Sequence, residues 1–225
     1  MFVDTRIGSI VLSILILLIS VIPHEVAHGY AALRCGDETA KRMGRLTLNL
    51  AAHIDPMGSV ILPLLLAYSG GPVFAYAKPV PYNPNNLKNP RRDEVIVAFA
   101  GPATNIALAC IGALVLRVAW PALTSDSLPY EVAYTIARVL TTFISINLTL
   151  AFFNLIPLPP LDGSAIISPL LKGEARRVYY QVQRYAMPIL IVALFVLPSY
   201  LGIDPIGAYL DVTVGSIFNL LLRGL

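Results

Sequence analysis

The chain has 225 residues, of which 56% are hydrophobic and 13% charged, and its mean hydropathy is +0.72. That balance excludes an ordinary water-soluble domain and makes the bilayer the natural solvent. A formal net charge of +3, dispersed between apolar segments, also excludes a nucleic-acid-binding stripe.

A single membrane domain over 1–225 is the simplest organisation at this length. The first apolar stretch, 7–33, has no small-residue cleavage site after it and runs straight into His-Glu-Val-Ala-His, so it reads as a retained helix. In 45–50, Leu46, Leu48 and Leu50 alternate with polar residues, which predicts a short strand. The next apolar run, 59–68, falls short of the roughly 20 residues that a span needs. Arg34, Lys41, Arg42 and Arg45 precede it and Lys78, Lys88, Arg91 and Arg92 follow it, so both flanks are expected in the cytosol and the run dips in and returns. Repeated prolines and asparagines make 72–90 an ordered loop.

Spans are then predicted at 95–120 and 133–155, with a marginal one at 187–201 and a fifth at 206–222. Lys172, Arg176, Arg177 and Arg184 place the stretch after 155 on the cytosolic side. The expected fold is an all-α polytopic membrane protein, with about five to six transmembrane or re-entrant helices and a small interfacial β-element. Cys35 and Cys110 have no framework spacing, and no disulfide is expected.

His24-Glu25-Val26-Ala27-His28 sets two histidines on one helical face, where they can share one zinc ion, with Glu25 beside them to take a proton from water. Charged groups in a membrane helix cost at least about 2.5 kcal/mol each, so chance is a poor account of this cluster. Catalytic zinc usually needs a third protein ligand. His53 is the one other histidine, and Asp55, Asp162, Asp204 and Asp211 are the acids at turns or segment ends. Asp162 has the strongest context, because Pro157, Pro159 and Pro160 must end the preceding helix and open a cavity beside it. Asn154, inside an apolar helix, needs a partner for its amide: either a scissile carbonyl or a neighbouring helix. Asn105 follows the helix entry Gly101-Pro102 and reads as a helix–helix contact, and His53, in a turn sequence, is a secondary candidate.

Through His24-Glu-Val-Ala-His28 and the pattern N-x-x-P-x-P-x-x-D-G at 154–163, the chain resembles the site-2 protease family of intramembrane zinc metalloproteases, the M50 type. The resemblance spans about 7–171 and implies one Zn2+ held by His24, His28 and Asp162. It further implies Glu25 as general base and Asn154 as a group that positions substrate or oxyanion. Many members carry an added PDZ domain or CBS pair, and this chain looks like a minimal core without either. The implied function is hydrolysis of peptide bonds within or next to transmembrane segments, in regulated intramembrane proteolysis. The implied location is the cell membrane, multi-pass, with the active site towards the cytosol. Expected partners are a single-span transmembrane substrate and membrane lipid, with a homo-oligomer left open and no nucleic acid. The competing readings are a transporter with a midplane ion site, which has no need of Glu25, and a catalytically dead scaffold, which would have no need of the whole set.

Overall fold

Every regular element is a helix in the computed structural model, which describes residues 6–61, 64, 65, 68, 78–125 and 127–225. Among the described residues three helices are long and apolar enough to cross a bilayer: α1 (Arg6–Arg34), α4 (Pro90–Leu123) and α5 (Tyr130–Asn154). Short elements link the first two: α2 (Thr39–Arg42), α3 (Leu50–His53), a π-helical turn at Pro56–Ile61 and a 3-10 turn at Pro84–Asn86. After α5 come α6 (Asp162–Ile167), α7 (Gly173–Gln183), α8 (Ala186–Ile191), which passes into a π-helical run Val192–Leu201, and α9 (Pro205–Leu221).

Small residues let the long helices approach closely. Ala109, Ala113 and Leu116 of α4 pack on Ile144 and Leu148 of α5, and Val214, Ile217, Phe218 and Leu221 of α9 lie over that core. On the outer face of α4, Leu114 and Val118 are 61% and 75% exposed. Such side chains standing clear of the protein are suited to lipid, in keeping with an integral membrane protein.

The loop that follows α1 is fastened by Asp37, which is buried. Its carboxylate accepts from Thr39 N–H and Oγ1, from the Asn83 N–H and from Asn86 Nδ2. One acid thereby ties the end of α1 to the turn at 83–86. Ala32, Leu87 and Val97 close a second small core next to it.

Three expectations need correction. No strand is present among the described residues, and 45–50 is an extended segment that turns into α3. The alternating leucines do not share a buried face, since Leu48 and Leu50 are exposed. The polar member Asn49 instead caps α3 by accepting from Ala51 N–H. The expected count of five is not reached by length and composition among the described residues: three helices qualify, or four if α7 and the run from Ala186 to Leu201, bent by 68°, act as one span. The segment expected at 206–222 is the 17-residue α9, shorter than a typical span. Finally, α4 runs through Pro121 to Leu123 instead of ending before it. Residues 62, 63, 66 and 67 of the expected re-entrant run at 59–68, and 72–77 of the proline-rich loop, lie outside the described residues.

Candidate metal centre

Helical spacing sets Ser20, His24 and His28 of α1 on one face, and Val97, Gly101 and Asn105 of α4 on another. The two faces meet in antiparallel register. His24 Nδ1 donates to Asn105 Oδ1 at 2.6 Å, and His28 Nδ1 donates to the Val97 carbonyl at 2.7 Å. These directions follow from the partners. A carbonyl can only accept, and Asn105 turns its oxygen to His24 because its Nδ2 donates to the Ser20 carbonyl and to Asn147 Oδ1. Asn147 of α5 is fixed in turn, its Nδ2 donating to Ser20 Oγ and the Phe143 carbonyl.

With both Nδ1 protons committed, each neutral imidazole presents a bare lone pair at Nε2. The two Nε2 atoms lie 3.1 Å apart. Asp162, the first residue of α6, brings Oδ2 to 3.2 Å from one and 3.4 Å from the other. That oxygen is buried and receives no hydrogen bond from the described residues. Three potential ligand atoms therefore converge within 4.8 Å of one another, an arrangement that a cation resolves. These three residues form the one cluster of potential metal-ligating side chains among the described residues. Space is left for an ion as well: a Cβ built on Gly101 would lie 2.5 Å from His28 Nε2 and 2.6 Å from His24 Nε2. The donor set, two imidazoles and one carboxylate, suits zinc with an open fourth position.

Comparison with known proteins agrees with that chemistry. The model of Peptidase family M50 matches residues 12–140 and 129–197. The chain belongs to peptidase family M50. YwhC of Bacillus subtilis (strain 168) is 39% identical to this peptidase over 198 residues, which cover 87% of the chain and 82% of YwhC. Rip2 of Mycobacterium tuberculosis (strain H37Rv) is 30% identical over 82% of the chain and 66% of Rip2. Rip2 of Mycolicibacterium smegmatis is 29% identical over 84% and 68%. All three are assigned by name to the zinc metalloproteases. No solved structure matches the chain significantly. The protein is a zinc metalloprotease of the site-2 protease family.

Within this M50 peptidase the other candidates have distinct surroundings. Glu25 is half-buried beside His24, and its Oε2 accepts the Val80 N–H at 3.0 Å. Asn154 is the last residue of α5, and its Nδ2 donates to the Leu150 carbonyl one turn back. Asn105 sits directly behind His24. His53 stands apart from the cluster: it is fully buried, and its Nε2 donates to the Thr47 carbonyl, holding the turn into α3. Ser20, Val97, Gly101 and Asn147 complete the centre. Ser20 and Val97 carry no sequence signal; Gly101 belongs to the stretch expected as a helix entry but lies in the interior of α4, and Asn147 is an amide in an apolar helix like Asn154.

Proposed function

We propose that the peptidase cleaves peptide bonds within or next to the transmembrane segment of single-span membrane proteins. His24, His28 and Asp162 hold the zinc, and Glu25 serves as general base. The observation that carries this reading is the meeting of the His24 and His28 Nε2 atoms with the buried Asp162 Oδ2, on the turn of α1 that also carries Glu25. Bound zinc supplies Lewis acidity, which makes water a competent nucleophile near neutral pH.

The chain's own residues do the rest. Glu25 takes the proton of the attacking water and returns it to the leaving amine. Asn105 and the Val97 carbonyl keep both histidines in the tautomer that binds metal. Asn154, at the α5 end that leads into α6, turns its amide to the substrate carbonyl once substrate displaces the bond to Leu150. The basic residues around 78–92 and 172–184 support a site facing the cytosol.

The test is cleavage of single-span reporters in reconstituted membranes by the wild type and by Glu25→Gln, with bound zinc measured in both. The proposal expects Glu25→Gln to keep its zinc and to lose cleavage. Cleavage indifferent to Glu25 would refute it.

A further inference from the structure

Arg45 is buried, 8% exposed, in the connection between α2 and α3. Burying a guanidinium is costly unless its donors are met. Here the two terminal nitrogens are met by backbone carbonyls from two segments, while the buried Nε finds no partner among the described residues: Nη1 donates to Ala52 O at 2.6 Å, and Nη2 to Lys78 O at 2.8 Å and Pro79 O at 3.3 Å. The same segments are joined by the Lys78 N–H, which donates to His53 O at 2.8 Å. Arg45 thus fastens residues 78 and 79 to the end of α3.

The fastened segment reads Lys78-Pro79-Val80-Pro81. Each proline lacks an N–H and fixes its own φ, and each restricts the residue before it to extended backbone. Val80 therefore carries the one N–H of 79–81, and that N–H is spent on Glu25 Oε2. Its side chain is pressed onto α1 one turn beyond Glu25, where a Cβ on Gly29 would meet Val80 Cγ1 at 2.7 Å and Leu46 Cδ2 at 2.5 Å. A single line of contacts leads from Arg45 through 78–80 to the carboxylate.

We propose that Arg45 is a positioning residue for Glu25: its fork of carbonyl bonds sets where the Val80 N–H lies, and that N–H holds Oε2 so that Oε1 is turned to the attacking water. This rests on the reading of Glu25 as general base. Lysine cannot replace it, because a single ammonium does not span carbonyls from two segments in a fixed plane.

The experiment uses the zinc-loaded full chain in reconstituted membranes, with Arg45→Lys measured for bound zinc, for kcat and KM on a single-span reporter, and for amide hydrogen exchange at Val80. Zinc content should stay at the wild-type level. KM should stay within about twofold while kcat falls ~10–100-fold, the effect of misplacing a reacting group. The Val80 amide should exchange faster in Arg45→Lys, and also in Glu25→Ala, where its acceptor is gone. Wild-type kcat in Arg45→Lys, or Val80 exchange that ignores either substitution, would overturn the inference. So would loss of zinc in Arg45→Lys, which would make the residue a general support of the fold. If Glu25→Gln itself cleaves, the general-base reading fails; if Glu25→Gln is silent while Arg45→Lys cuts at full rate, only the positioning role fails.

Discussion

Gly101 faces His28 so closely that a single added methyl would stand 2.5 Å from Nε2. The hydrogen at this position is what leaves room on the α4 side of the centre for anything bound to the two imidazoles. Gly101→Ala is therefore expected to lose zinc, because the methyl competes with the ion for the same space. Metal analysis of the purified variant checks this, and zinc at the wild-type level would show that α4 can move aside.

The tautomer argument makes Asn105 the residue on which His24 depends. Asn105→Leu keeps the branched shape and removes the acceptor for His24 Nδ1 and the donor to the Ser20 carbonyl and Asn147. Loss of such an outer partner typically weakens metal binding by roughly 10–100-fold. Zinc titration against a competing chelator measures the change, and an unaltered affinity would separate the asparagine from the metal.

His53 predicts the opposite pattern. Its imidazole is fully buried and bonded to Thr47, away from the cluster at His24 and His28. His53→Ala should keep zinc at the wild-type level while costing about 1–3 kcal/mol of stability through the unmet Thr47 carbonyl. Thermal unfolding alongside metal analysis distinguishes the two effects.

Asp37 gives the chain a defined acid sensitivity. Burial by itself would raise its carboxyl, but the bonds from Thr39, Asn86 and Asn83 outweigh that and hold it below the ordinary carboxylate value. A group lowered in the folded state stabilises fully above its unfolded value of about 3.9, and the contribution is lost as pH falls through the folded value. Wild type should therefore melt above Asp37→Asn at neutral pH, with the gap closing only below about pH 4. A gap that persists unchanged in strong acid would contradict the account.

What was legible beforehand follows from which signals are local. His24, Glu25 and His28 were readable because helical spacing alone puts the two histidines on one face. Asp162 was readable because the prolines before it must break a helix, and the break leads into α6, which Asp162 begins. The partners of the histidines were not, since Val97 contributes only a carbonyl, which any residue possesses, and Gly101 contributes the absence of a side chain. The alternation at 45–50 points to a strand but serves other ends: Asn49 caps a helix and the Thr47 carbonyl receives His53. Arg45 looked like one more topological charge, and nothing local distinguishes a guanidinium that grips carbonyls from one that meets water.

The contacts between α1 and α4 recur at four-residue steps, Asn105 behind His24, Gly101 between the imidazoles and Val97 behind His28. Sliding α4 along α1 by one turn, about 5.4 Å, would break all of them together. Register between the first two long helices is thus written into the hydrogen bonds of two histidines. Whatever pulls α1 and α4 out of alignment in the bilayer, whether thickness, tension or a neighbouring helix, would be felt first as a change in how tightly the metal is held.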